Sequence, residues 1–173
     1  MAAQDDLYKQ AAAECGPALK RLAHGYEADL ERRRDLLQDI HIALWRSLRL
    51  FDGRCMLQTW VYRVAHNVAA SHITRRMRNR DRLVDLDALE SEPAAHDGQA
   101  QMDQQYSLSK LFERIYLLKP LDRQIILLYL EGESAAAISA VTGLSPSNIA
   151  TKIHRLKRLL SRESGQGQAH AKQ

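Results

Sequence analysis

SAAAISAVTGLSPSNIATKIHRLKRLL, residues Ser134 to Leu160, is a pair of short helical patterns separated by turn chemistry. Ser134 can cap a helix running through Val141, and Gly143 supplies the left-handed residue that ends it. Ser145 followed by Pro146 then caps and opens a second helix. In that second helix Ile149, Ile153, Leu156 and Leu160 recur at helical spacing and form one buried stripe. Ser147, Thr151, His154, Arg155 and Arg158 lie opposite. Hydroxyls, an imidazole and guanidiniums on the free side of a packed helix suit a helix-turn-helix, whose second helix enters the major groove of duplex DNA. An ordinary helical hairpin with a solvated charged face would share the apolar pattern.

The N-terminal part of the chain, residues 1–82, reads as helices throughout, with no alternating strand pattern and no internal repeat. Helices are expected over about Asp5–Cys15, Pro17–His24, Leu30–Leu50 and Met56–Arg80, with a loop at Phe51–Cys55. The third has an apolar face of Leu36, Leu37, Ile40, Leu44 and Leu48, beside a surface formed by Asp35, Gln38, Asp39 and Ile42. In the fourth, Leu57, Val61, Val64, Ala65 and Val68 make the predicted buried stripe. Arg63, His66, Asn67, Ala70 and Thr74 line its other side, and the helix ends in Arg75, Arg76, Arg78, Arg80 and Arg82. Such a cluster can hold phosphates and release counterions. Trp60 and Tyr62 stand upstream of it, where an aromatic ring can stack an unpaired base, although plain core packing is the stronger explanation of Trp60.

The net charge of +4 over 173 residues conceals a strong asymmetry. Residues 83–105, LVDLDALESEPAAHDGQAQMDQQ, hold six acids and no Lys or Arg, which leaves 25 bases against 15 acids elsewhere, a net charge of +10. With Pro93, Gly98 and weak periodicity, this stretch reads as a flexible acidic linker between two basic bodies. The expected architecture is therefore all-α: a domain over residues 1–82, the linker over 83–105, a helix-turn-helix domain over 106–163 and a disordered tail over 164–173. There is no apolar run of membrane-spanning length and no signal-peptide pattern at MAAQDDLYKQ, so a cytoplasmic chain without membrane insertion is expected. Cys15 and Cys55 lack CxxC spacing or clustered histidines and read as reduced thiols. No metal-ligand cluster, phosphate-binding glycine loop or nucleophile elbow is present, and neither an enzyme nor a cofactor is expected.

In their order and spacing these motifs resemble the bacterial extracytoplasmic-function sigma factors, promoter-specificity subunits of RNA polymerase, over nearly the whole chain. Asp35-Leu36-Leu37-Gln38-Asp39 is similar to that family's DLxQ(D/E) core. Trp60-Val61-Tyr62-Arg63-Val64-Ala65-His66-Asn67 is similar to its WLYRIAxN signature, and Thr74-Arg75-Arg76 continues the match. Leu118 to Gly132, LKPLDRQIILLYLEG, resembles the segment leading into the family's helix-turn-helix. The resemblance implies that Asp35, Gln38, Asp39 and Arg46 dock on core RNA polymerase. It implies that Arg54, Trp60, Arg63, His66, Asn67, Arg75, Arg76 and Arg78 hold melted minus-10 DNA. Ser147, Asn148, Thr151, Lys152, Arg155 and Arg158 would face the minus-35 duplex. It also implies an anti-sigma factor as a partner. The chain departs from the family pattern at His41, Ala137, Ser139, Ser147-Asn148, Ala150 and Leu156, so a relative's promoter sequence does not transfer. An autonomous operator-binding regulator would also use the helix-turn-helix, but it leaves the composition of Asp35–Asp39 and Trp60–Asn67 without a reason.

Overall fold

The computed structural model describes the backbone of residues 2–82 and 99–162, and the side chains of residues 4–76 and 108–161. Helices account for every regular element among the described residues: α1 (Ala2–Tyr26), α2 (Leu30–Ser47), a 3-10 turn (Leu48–Leu50), α3 (Leu57–Arg82), α4 (Gln99–Leu117), α5 (Pro120–Leu130), α6 (Ala135–Thr142) and α7 (Pro146–Arg162). The acidic stretch 83–98, the tail 164–173 and the side chains of Arg78, Arg80 and Arg82 lie outside the described residues.

The two helices expected before residue 25 are one. Pro17 sits inside α1, where it removes one backbone hydrogen bond. The helix continues because Cys15, Ala18, Leu19, Leu22 and Ala23 on either side of it are buried, and that burial outweighs a single lost bond. A second correction concerns the linker. Helix α4 begins at Gln99, inside the stretch read as flexible, because QAQMDQQ lacks Pro and Gly and consists largely of good helix formers.

α1, α2 and α3 pack on one another around Leu19, Leu22, Leu36, Ile40, Leu44, Val61 and Ala65. The Asp29 carboxylate accepts the Arg32 backbone N–H at 2.9 Å and fixes where α2 starts. In the second body α5, α6 and α7 close around Ile125, Ile126, Leu128, Ile138, Ile149 and Leu156, with Ile115 of α4. Here the local chemistry follows the expected pattern. Ser134 Oγ accepts the Ala137 N–H, Gly143 has φ of 78°, and Ser145 Oγ accepts the Asn148 N–H. Ser139 adds a tie that the sequence did not announce: its hydroxyl donates to the Leu144 carbonyl across the turn at 2.5 Å. Ser139→Ala leaves that partly buried carbonyl without its donor and is expected to cost ~1 kcal/mol in urea unfolding; no change in the midpoint would mean water replaces it fully.

The two bodies also touch each other. Arg21 makes a two-pronged ion pair with Glu131, at 2.7 and 2.5 Å, and the Gln58 amide donates to Glu133 at 2.6 Å. Tyr116 Oη donates to the His24 carbonyl at 2.6 Å, while the His24 ring stacks on Phe112 with centroids 4.0 Å apart. Gly25 permits a close approach of α1 to Leu127 in this seam. A Cβ there would lie 2.5 Å from Leu127 Cδ2.

Candidate nucleic-acid interface

Helix α7 is held on one side and open on the other. Ile149, Leu156 and Leu160 are buried, while Ser147, Asn148, Thr151, His154, Arg155 and Arg158 are exposed. Lys152 departs from the expected DNA-facing placement. Its ammonium is 2.7 Å from Asp122 Oδ1 and only 23% of its side chain is exposed, because its position on α7 turns toward α5. Arg155 donates to the other oxygen of the same carboxylate at 3.1 Å, yet keeps 64% exposure. Asp122 itself, third in α5, is buried. The open face thus has hydroxyls and an amide toward its start and guanidiniums along it, a pattern suited to base edges and phosphates.

The second surface lies on α3. Arg63, Asn67, Thr74, Arg75 and Arg76 are exposed there, and Arg54 is exposed on the loop before it. His66 is not among them. It is 2% exposed, with Nδ1 3.0 Å from Tyr26 Oη and the two rings edge to face. The expectation that His66 faces DNA is thereby corrected. α3 packs against both α1 and α2, so its buried arc runs through Val61, Tyr62, Ala65, His66, Ala69 and Ile73. That arc is turned by roughly a quarter turn from the stripe expected from its Val and Leu residues. Burial holds His66 down to about 3.

Other side chains of this surface are partly committed to the fold. Arg76 grips both oxygens of Glu27 at 3.0 Å, and His72 Nε2 lies 3.2 Å from Glu27 Oε2; Glu27 is 1% exposed and had no marker in the sequence. Arg63 reaches the second body, where its Nε donates to the Ala140 carbonyl at 2.8 Å and a terminal nitrogen donates to the same oxygen. Trp60 is half-buried, donates to Ser47 Oγ at 3.0 Å and meets Phe51 edge to face, which fits the packing explanation of its presence.

Asp35, Gln38, Asp39 and Arg46 are all exposed on α2, together with Ile42 and Trp45. The unusual His41 beside them pairs through Nδ1 with Tyr8 Oη at 3.0 Å, so it serves packing between α1 and α2. Both cysteines are free, and burial pushes the Cys15 thiol up to about 11, which keeps it an unreactive thiol. Among the described residues there is no cluster of three His, Cys, Asp or Glu that could hold a metal ion. No helix there is long and apolar enough to cross a membrane.

These bodies coincide with two known families. Residues 12–79 match Sigma-70 region 2, and residues 110–160 match Sigma-70, region 4. The ECF RNA polymerase sigma-E factor of Haemophilus influenzae is 29% identical over 135 residues, covering 73% of this chain and 71% of that protein. The chain belongs to the extracytoplasmic-function sigma factors. Its fold is that of the sigma factor RpoE solved with the anti-sigma factor NepR from Bartonella quintana, at a TM-score of 0.70 and 24% identity over 88% of this chain and 93% of that one. CnrH, solved with the cytosolic domain of CnrY, gives 0.61 and 20% over 95% and 89%. The sigma factor is an alternative initiation factor that directs transcription, in a family whose members are not catalytic. Asp122, Glu27 and Tyr26 hold Arg155, Arg76 and His66 respectively, contacts that the sequence did not announce.

Proposed function

We propose that this sigma factor works in the cytoplasm as a two-site promoter reader, attached to core RNA polymerase through Asp35, Gln38, Asp39 and Arg46. The α7 face reads the minus-35 duplex through Ser147, Asn148, Thr151, Arg155 and Arg158. The observation that carries this reading is the separation on α7 of a buried side, Ile149, Leu156 and Leu160, from an exposed one that holds Ser147, Asn148, Thr151, His154, Arg155 and Arg158. On α3 and its preceding loop, Arg54, Arg63, Asn67, Arg75 and Arg76 hold the melted minus-10 strand. Flipping a base costs a few kcal/mol, which contacts from this surface must offset. Two of the five Arg63 N–H donors are already given to the Ala140 carbonyl. The relatives solved with anti-sigma factors support an anti-sigma partner for this chain as well.

Transcription in vitro with purified core polymerase and a genomic promoter library tests the reading. Arg155→Ala is expected to lower preference among minus-35 sequences about tenfold while core binding persists, since a guanidinium on a base edge contributes ~1–3 kcal/mol of discrimination. Asp39→Ala is expected to weaken core association at every promoter alike. Tight sequence-specific duplex binding by the free chain, without core binding, would favour an autonomous operator-binding regulator instead.

A further inference from the structure

We infer that Asp122 is a positioning residue of the minus-35 reader, one that sets the Arg155 guanidinium before DNA arrives. The inference rests on the reading of Arg155 as a duplex contact. Asp122 belongs to α5, outside the helix that meets DNA, and its carboxylate is divided between two cations of α7. Oδ1 takes the Lys152 ammonium at 2.7 Å and Oδ2 takes a terminal Arg155 nitrogen at 3.1 Å.

The two cations are left in different conditions. Lys152, mostly covered, is spent on the carboxylate and ties α7 to α5. Arg155, mostly exposed, gives up one terminal nitrogen, and a guanidinium has five N–H donors in a fixed plane. One bond to a buried carboxylate whose other oxygen is held by Lys152 is enough to restrict that plane, while the remaining donors stay available. A side chain whose rotamers are already limited loses less freedom on binding. It also cannot swing as readily to the nearest phosphate, so it favours a base edge over the sequence-independent backbone. The charge balance suits this role. One carboxylate against two cations leaves a net positive cluster, so α7 keeps its attraction for DNA while Arg155 keeps its direction. Asp122 also lies in the first turn of α5, where a negative charge is favoured by the helix dipole.

The test uses holoenzyme assembled on core polymerase, a randomised minus-35 duplex library, and Asp122→Asn, Arg155→Ala and the double variant, each with its melting temperature measured. Asp122→Asn is expected to reduce discrimination between preferred and disfavoured duplexes about fivefold, with unspecific affinity unchanged or raised. Its salt dependence should steepen by about one counterion as the released cation moves to phosphate. In the Arg155→Ala background, Asp122→Asn should remove no further discrimination. Asp122→Glu, which keeps the charge but shifts the carboxylate by one methylene, covers the case in which the asparagine variant fails to fold. It is expected to lose part of the discrimination. A uniform fall in affinity for all duplexes, tracking lost stability, would make Asp122 a fold residue and overturn the proposal. Unchanged discrimination in Asp122→Asn alongside a large loss in Arg155→Ala would overturn it while leaving the reading of Arg155 intact. If Arg155→Ala itself retains full discrimination, that reading fails and the positioning role goes with it.

Discussion

Lowering the pH from 7 to 4.5 is expected to remove roughly 2–3 kcal/mol of folding stability through His66 alone. The buried ring stays neutral down to about 3, whereas in the unfolded chain it takes a proton near its ordinary value of 6.5. Between those values the unfolded state binds more protons. The contribution is therefore fully present above pH 6.5 and is lost progressively as the pH falls toward 3. Burial likewise holds His24 down to about 4, so it acts in the same direction. Urea unfolding at pH 7, 5.5 and 4.5 measures the total. His66→Gln isolates the first part, because an amide can still bond Tyr26 Oη but does not titrate. A pH slope as steep in the glutamine variant as in the parent chain would show that the loss arises elsewhere.

Arg123→Ala is expected to destabilise the protein by ~3 kcal/mol, near the upper end for a single substitution outside the apolar core. Arg123 is 5% exposed and donates to the carbonyls of Tyr116 and Leu118, which the end of α4 leaves without helical partners. Its guanidinium lies 5.6 Å from the Tyr26 ring centroid and 5.9 Å from that of Tyr116, so it also fills the space between the two bodies. Alanine removes the donors, the cation and the volume together. Arg123→Met restores the volume and should recover roughly half of the loss, since the carbonyls stay unpaired. Equal stability of the methionine variant and the parent chain in guanidinium unfolding would mean that the carbonyls find other donors.

What could be read from the sequence divides along physical lines. The turn between α6 and α7 was legible because its determinants are local: a serine cap, a glycine with positive φ, and a serine before a proline. The exposed acids of α2 were legible because a polar arc beside an apolar one leaves little choice. Burial of His66 was not. It depends on α3 being covered from two directions, and helical periodicity does not register how many neighbours a helix has. The same holds for Lys152 and Arg76, whose charges looked free until Asp122 and Glu27 were placed beside them by the fold. Pro17 misled for the opposite reason, since a strong local signal for a break was overridden by the burial of side chains around it.

The seam closed by Arg21, Glu131, Gly25 and Leu127 acts on occupancy as well as shape. Any ligand that needs Arg63 away from Ala140 can bind only the fraction of molecules in which that contact is open. Its apparent dissociation constant is the intrinsic one divided by that fraction, so each kcal/mol held in the seam weakens apparent binding about fivefold. A substitution that loosens the seam, such as Arg21→Ala, would tighten such a ligand without touching the surface it binds.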